Sequence, residues 1–210
     1  MIYKEIVVHP AVKLLDERQC WERTNYMDFS ENTGKLLEAI RFAAEKHRNQ
    51  RRKDSKRSPY INHPIEVVQL LWEVGGVRDV DVLLAAVLHD TIEDTDTRPE
   101  EISDRFGEQV LSFVLEVTDD KSLPKSERKR LQIVHAPHKS YGAKLIKLAD
   151  KSCNVRNLIT MPPKDWSLER KQEYLLWGEK VIAGLRGTNA ALEEYYDHEL
   201  SSGKLLLGID

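Results

Sequence analysis

Apolar residues recur along most of this chain at the three- and four-residue spacing of an amphipathic helix. No segment keeps a period-two alternation long enough to indicate a β-sheet. The pattern therefore predicts an all-α fold. Capping and turn residues divide the apolar pattern into short segments, which indicates a bundle of roughly eight to ten helices.

Two of these predicted helices begin at clear start signals. Pro64 suits the first position of a helix, and Ile65, Val68 and Leu71 are expected to form the inner face of that helix. Asp79 is a suitable N-cap for the next helix, which is apolar on most sides and is therefore expected at the centre of the bundle. Further helices are predicted over residues 33–47, 97–106, 110–117, 126–136, 140–158, 167–185 and 188–201.

Composition limits the classes of function. The 210 residues include 32 Lys and Arg against 35 Asp and Glu, so the chain has no general attraction to nucleic acid or to an anionic membrane. The longest strictly apolar run, Val82 to Leu88, is too short to span a bilayer. Only two cysteines are present, and no secretory signal is recognisable, which predicts a soluble cytoplasmic protein. We expect one domain over residues 31–210, preceded by an extension over residues 1–30 whose order the sequence leaves undecided.

Residues 83–97 read LLAAVLHDTIEDTDT, an apolar run that passes directly into a group of acidic residues. Four carboxylates within seven residues repel one another unless water or a cation separates them. One interpretation is a solvated helix end. The other is a metal site, because His89 and Asp90 are adjacent at the end of a helix that packing should hold still.

Two residues elsewhere strengthen the metal hypothesis. His63 lies in YINHP, just before a predicted helix start, and Asp150 lies in KLAD, beside a buried stripe where an unpaired charge is costly. His63 also fits a capping or loop histidine, and Asp150 also fits an ion pair with Lys151 or Arg156. If both join His89 and Asp90, the ligands form a mixed set of nitrogen and oxygen atoms. Such a set is typical of a site for Mn²⁺, Fe²⁺ or Zn²⁺ and not of a structural site made of thiolates.

A basic loop, residues 48–57, lies between the helix predicted over residues 33–47 and the helix that begins at Pro64. Its arginines and lysines fit a solvated charge run, or contacts to an anionic ligand beside the metal. A nucleic-acid patch is disfavoured, because the overall charge is balanced and aromatic residues are not interleaved with the basic ones.

Four segments in this order resemble one family. AEKHRNQRRKD, YINHP, AVLHDTIEDT and KLADKSCNVRNL are similar to the hydrolase domain of RelA/SpoT-type alarmone enzymes, a branch of the HD-domain phosphohydrolases. The similarity extends from roughly Leu36 to Leu200, and it is greatest to the small stand-alone alarmone hydrolases, such as the metazoan SpoT homolog. The resemblance implies an HD-domain helical bundle.

The resemblance also implies residue roles. The family's Mn²⁺ ligands match His63, His89, Asp90 and Asp150, and Fe²⁺ or Zn²⁺ are alternatives. Its catalytic acids match Glu93 and Asp94, which we expect one turn beyond the ligands on the same helix. Its substrate contacts match Arg52, Lys53, Lys125, Asn154, Arg170 and Tyr174. The chain departs from the family pattern at Ser152 and Cys153, which puts the shape of the base pocket in question.

The function that the resemblance implies is metal-dependent hydrolysis of the 3′-pyrophosphate of guanosine 3′,5′-bis(diphosphate), giving GDP or GTP and pyrophosphate. The alternatives are removal of the 2′-phosphate of NADPH, and hydrolysis of a related nucleotide by an HD-domain enzyme. A nucleotide sensor without turnover is a third, which the intact ligand set disfavours. The expected partner is a small anionic nucleotide, with no nucleic acid and no membrane, and the oligomeric state is not predicted.

Overall fold

The computed structural model describes the backbone of residues 17–209 and the side chains of residues 31–209. The chain divides into two compact units, Met1–Gly34 and Lys35–Asp210. The predicted extension, residues 1–30, lies outside the residues whose side chains are described, although its backbone is helical from Glu17 onward. The predicted boundary at residue 30 stays a prediction.

The regular structure between residues 17 and 209 is helical, which confirms the all-α prediction. The β pairing in this part of the chain is limited to two isolated bridges, Arg51 with Pro59 and Asp54 with Pro163. A 3-10 turn follows α7 at Ala136–His138. The α-helices are α1 Glu17–Lys46, α2 Asn62–Glu73, α3 Val80–Leu88, α4 Thr91–Asp94, α5 Pro99–Phe106, α6 Glu108–Val117, α7 Lys125–His135, α8 Tyr141–Thr160, α9 Leu168–Ala183 and α10 Ala190–Leu207.

The core of the second unit is built around α3 and α8. Every residue from Val82 to Leu88 is buried, as the apolar pattern predicts. The Asp79 side chain caps α3 by accepting hydrogen bonds from the backbone N–H groups of Asp81 at 3.0 Å and Val82 at 3.3 Å. α8 packs against α2, α3, α6, α9 and α10. These two helices are therefore held from several sides, and residues at their ends occupy fixed positions.

The inner face predicted for α2 is wrong in part. The helix begins at Asn62 rather than at Pro64, and Ile65 is 41% exposed. Leu71 is buried as predicted, and the rest of the buried stripe includes His63 and Val67. An α-helix turns about 100° per residue, so a side chain two positions after the inward-facing His63 points away from the core. A buried histidine thus sets the phase of this helix.

The prediction that the acidic residues continue one helix is also wrong. α3 ends at Leu88, and Asp90 has φ −102° and ψ −2° at the start of the separate, four-residue α4. The hydroxyl of Thr91 donates to the Leu88 carbonyl at 2.6 Å, which satisfies an oxygen that the end of α3 leaves free. The candidate ligands His89 and Asp90 therefore lie in the break itself, and the candidate acids Glu93 and Asp94 lie on α4.

The last helix is longer than predicted, since it extends to Leu207 and ends at Gly208, which has a left-handed φ of 65°. None of the helices between residues 17 and 209 combines the length and the apolar character that crossing a membrane requires.

Candidate metal centre and substrate pocket

Four predicted ligands from three parts of the chain meet in the core. His63 lies in the first turn of α2, His89 and Asp90 lie at the break after α3, and Asp150 lies in the middle of α8. Candidate ligand atoms of His63, His89 and Asp90 all lie within 4.8 Å of one another. Oδ1 of Asp150 lies 3.1 Å from Nε2 of His63 and 3.9 Å from Nε2 of His89. The four side chains therefore surround a common point.

The hydrogen bonds of His89 fit a bound cation. Nδ1 of His89 lies 2.8 Å from the carbonyl oxygen of Ala86, so Nδ1 carries a proton, and when the ring is neutral the lone pair is on Nε2. Nε2 is buried and has no hydrogen-bond partner among residues 31–209, although Oδ2 of Asp90 lies 3.0 Å away. A buried polar atom without a partner is unusual and requires a reason. A divalent cation supplies one, since imidazole and carboxylate groups suit such ions.

The electrostatics of the cluster also favour a positive charge. Burial lowers the pKa of His89, but the carboxylates of Asp90 and Asp150 outweigh it and raise the pKa to about 9. Burial likewise raises the pKa of Asp90, and the neighbouring His89 outweighs it, so the pKa of Asp90 lies well below its ordinary value. The buried carboxylate of Asp150 and the half-buried one of Asp90, if both stay ionised, need a cation between them, either a proton on histidine or a metal ion.

The two oxygens of Asp150 face different groups. Oδ1 faces His63, whereas Oδ2 lies 3.4 Å from Nζ of Lys151 and 3.9 Å from Nζ of Lys147. The ion pair of Asp150 with Lys151, which the sequence analysis gave as an alternative, is therefore present together with the contact to His63. The pKa of Asp150 lies well below its ordinary value because these lysines and His63 outweigh the effect of burial. The Asp150 carboxylate therefore contacts His63 through one oxygen and the two lysines through the other.

Hydrogen bonds from two further side chains orient the ligands. The Tyr60 hydroxyl donates to Oδ2 of Asp90 at 2.5 Å, and Nδ2 of Asn154 donates to Oδ1 of Asp150 at 2.5 Å. Arg52 donates to Oδ1 of Asn154 at 3.3 Å. Such contacts fix the direction of ligand lone pairs. Tyr60 was not singled out from the sequence, although it stands three residues before His63 in YINHP.

The two candidate catalytic acids lie on α4, against cationic side chains. Glu93 accepts a hydrogen bond from the backbone N–H of Asp119 at 2.9 Å and faces Lys121 at 3.7 Å. Asp94 pairs with Lys121 and accepts from Nε2 of Gln50 at 2.9 Å. Burial raises the pKa of Glu93 above its ordinary value, and the hydrogen bond from Asp119 offsets this only in part. Sequence reasoning missed Lys121 and Gln50.

A cavity of about 410 Å³ opens beside these residues, within the size range of nucleotide and small-molecule sites. Four of the six predicted substrate contacts line it: Arg52, Lys53, Asn154 and Tyr174. Tyr60 and Asp94 also line it, so the cavity reaches the partners of the metal ligands.

A neighbouring cleft of about 600 Å³ is lined by Arg170 and shares Arg52 and Lys53 with the first cavity. Lys125 is not among the described residues that line either cavity. Burial, together with the positive charges of Arg170 and Lys53, lowers its pKa, which places Lys125 in the same cationic region. Five of the six predicted contacts therefore line one or both of these cavities, and Lys125 does not.

The basic loop, residues 48–57, divides between its two interpretations. Lys56 and Arg57 are exposed, and Arg48 pairs with Glu45 at the surface. Arg52 and Lys53 line the cavity. The solvated interpretation therefore fits Arg48 and Lys56, and the ligand interpretation fits Arg52 and Lys53.

Two aromatic side chains, Trp166 and Tyr174, line the cavity. The ring of Tyr174 lies 5.4 Å from the rings of both Trp166 and Trp177, and the Arg170 guanidinium lies 4.4 Å from the Trp166 ring. Trp166 lines both cavities and was not identified from the sequence. Neither Ser152 nor Cys153 lines the first cavity as the described residues define it; both are buried in α8. These departures therefore do not alter its wall directly.

The chain is similar to known proteins over most of its length. The sequence profile described as HD domain matches residues 39–175. Human guanosine-3′,5′-bis(diphosphate) 3′-pyrophosphohydrolase MESH1 is 58% identical over 163 residues, covering 78% of this chain and 91% of the human protein. The Drosophila melanogaster protein of the same name is 51% identical over 161 residues, covering 77% and 90%. A solved metazoan ortholog of SpoT, described as hydrolyzing ppGpp, superposes with a TM-score of 0.77 at 48% identity over 84% of this chain and 97% of the other.

Proposed function

This chain belongs to the HD-domain family, and on that premise we propose that it is a guanosine-3′,5′-bis(diphosphate) 3′-pyrophosphohydrolase. The reaction cleaves the bond between the ribose 3′-oxygen and its phosphorus. Water adds to that phosphorus, the 3′-oxygen leaves and takes up a proton, and the products are pyrophosphate and GDP, or GTP from the pentaphosphate. The observation that carries the proposal is the meeting of His63, His89, Asp90 and Asp150 beside a cavity with basic walls.

We assign His63, His89, Asp90 and Asp150 as the residues that would hold a divalent cation, with Mn²⁺ as the proposed ion. The supporting observation is the buried Nε2 atom of His89, which lacks a hydrogen-bond partner in the described part of the chain. When bound, such an ion supplies Lewis acidity and lowers the pKa of a coordinated water.

Glu93 and Asp94 are the proposed catalytic acids. Both lie on α4, three and four positions after Asp90, and Asp94 lines the cavity. One carboxylate accepts the proton of the attacking water, and a neighbouring acid returns a proton to the leaving oxygen. Burial raises the pKa of Glu93, so this carboxyl group holds a proton more readily than an ordinary glutamate does.

The substrate contacts follow from charge and shape. Arg52 and Lys53 face the cavity as cations suited to diphosphate groups, and Arg170 extends the cationic surface into the neighbouring cleft. Tyr174 and Trp166 provide aromatic faces on which a purine base can stack. Asn154, held between Arg52 and Asp150, is the proposed sugar contact. The proposed partner is accordingly a small anionic nucleotide.

The experiment that tests this function incubates the purified full chain and Mn²⁺ with ppGpp, and separately with NADPH. Pyrophosphate release from ppGpp is the expected result, and Asp90→Asn together with an EDTA control should abolish it. Phosphate release from NADPH alone would replace the proposed substrate with the alternative one. Binding of ppGpp without turnover of either compound would indicate a sensor.

A further inference from the structure

A chain of hydrogen bonds connects a buried histidine to one of the proposed catalytic acids. Nδ1 of His47 lies 2.7 Å from Oε1 of Gln50, and Nε2 of Gln50 donates to Oδ2 of Asp94 at 2.9 Å. His47 is only 2% exposed. Neither His47 nor Gln50 belongs to the ligand set, the acid pair or the proposed substrate contacts.

The direction of each hydrogen bond in this chain is determined by its acceptor. A carboxylate accepts only, so the Gln50 amide must turn its NH₂ group toward Asp94 and its oxygen toward His47. That oxygen in turn requires a proton on Nδ1 of His47. Burial lowers the pKa of His47, which keeps the ring neutral and leaves Nε2 unprotonated. Nε2 has no partner among residues 31–209, so the ring makes its one side-chain hydrogen bond through Nδ1.

The backbone holds Gln50 in place from both sides. Its N–H donates to the carbonyl of His47 at 2.9 Å, and its carbonyl accepts from the N–H of Tyr60 at 3.2 Å. The rings of His47 and Tyr60 pack at a centroid distance of 4.9 Å. Tyr60 donates its hydroxyl to Asp90. His47, Gln50 and Tyr60 therefore pack together. Through Tyr60 they contact the candidate ligand Asp90, and through Gln50 they contact the candidate catalytic acid Asp94.

Two of the proposed substrate contacts lie in the same segment of the chain. Arg52 and Lys53 lie between Gln50 and Tyr60 in the chain, and the loop is closed by a hydrogen bond from the N–H of Arg52 to the carbonyl of Ser58 at 2.9 Å. An anion bound by Arg52 and Lys53 thus contacts the segment that also orients Asp94.

Resting on the proposed function, we propose that Gln50 is a positioning residue that fixes the carboxylate of Asp94 for the reaction, and that His47 fixes Gln50. A mobile Asp94 carboxylate has an alternative partner, Lys121, which already pairs with its other oxygen. Without the Gln50 amide, both oxygens are free to turn toward that lysine. Asp94 would then spend less time in the orientation that transfers a proton, and ligand geometry would be unchanged.

Gln50→Met tests this proposal, because it keeps the length of the side chain and removes the amide. We expect kcat for ppGpp to fall about 10- to 100-fold, the range typical of lost orienting contacts, with a smaller change in KM, because Gln50 also lines the cavity, and with Mn²⁺ affinity little changed. Gln69→Met is the matched control: Gln69 is exposed on α2 and also donates to a carboxylate, that of Glu73 at 3.0 Å. It should leave all three quantities unchanged.

A double-mutant cycle separates positioning from a general structural effect. In an Asp94→Asn background, followed by single-turnover assays with excess enzyme, Gln50→Met should change the rate by no more than roughly twofold. The same loss in both backgrounds would overturn the positioning role, as would an unchanged kcat in the single variant. Full activity of Asp94→Asn would overturn it too, by removing Asp94 from the reaction. Failure of the proposed function is distinct, because the wild-type chain itself would then release no pyrophosphate from ppGpp.

Discussion

Tyr60 and Asp90 are joined by a 2.5 Å hydrogen bond from the phenol hydroxyl to Oδ2, although thirty positions separate them in the chain. The acceptor is the oxygen that also lies 3.0 Å from Nε2 of His89. The phenol therefore limits how the Asp90 carboxylate can rotate within the ligand cluster.

Tyr60→Phe should weaken metal binding while the fold is retained. The substitution removes the hydroxyl donor to Asp90 and keeps the ring that packs against His47. Loss of such an orienting contact typically lowers metal affinity about 10- to 100-fold. Calorimetric titration with Mn²⁺ measures the affinity, and the thermal midpoint of the variant checks the fold. Equal affinities for the variant and the wild type would show that Asp90 is oriented without Tyr60.

Mn²⁺ should stabilise the native chain against heat. A ligand that binds only the folded state adds about 2.7 kcal/mol at 100 times its Kd, which raises Tm by roughly 5–10 °C for a chain of this size. The fluorescence-monitored Tm, measured with Mn²⁺ and after EDTA treatment, checks this. Asp90→Asn is the comparison, and its Tm should respond far less. A response of the same size in both proteins would place the stabilising ion elsewhere.

Gly142→Ala should destabilise the chain by about 1–3 kcal/mol, because a Cβ atom at this position lies 2.6 Å from the Phe113 ring. Gly142 is in the first turn of α8, where α6 packs closely against it. Urea denaturation measures the change in the free energy of unfolding. In contrast, Gly34→Ala in α1 meets no atom within 4 Å and should gain up to about 1 kcal/mol from helix propensity. If both substitutions changed the free energy of unfolding in the same direction, the packing argument would be contradicted.

Stability should fall in mild acid in part because of His47. Burial lowers the pKa of His47 in the folded chain below its ordinary value of 6.5. Below pH 6.5 the unfolded chain therefore binds a proton that the folded chain does not, so the free energy of unfolding decreases as the pH falls toward the folded pKa.

His47→Asn removes this titration and should flatten the decrease between about pH 7.5 and 5.5, whatever its effect on stability at neutral pH. Urea denaturation across this pH range provides the slopes. His138→Asn serves as a control, because His138 is exposed at the end of the 3-10 turn and its removal should leave the slope unchanged. Parallel curves for His47→Asn and the wild type would argue against a neutral, buried His47.

Local patterns in the sequence predict much of the fold. The cap at Asp79, the buried run from Val82 to Leu88 and the helix predicted over residues 110–117 all agree with the structure. Capping and helical periodicity involve residues within about four positions of one another, so a linear sequence contains them. The phase of α2 was misjudged because a polar residue, His63, takes an inward position that apolar periodicity does not mark.

The sequence by itself therefore determined the helical class, most helix boundaries and the kinds of side chain available for a cation, since these follow from local hydrogen bonding and periodic burial. Only the tertiary structure decided which atoms meet: the break at Asp90, and the contacts of Gln50 with Asp94 and of Tyr60 with Asp90. These contacts join residues 44 and 30 positions apart. Their geometry depends on how the helices and the loop before α2 pack, and spacing along the chain does not encode that packing in any local pattern.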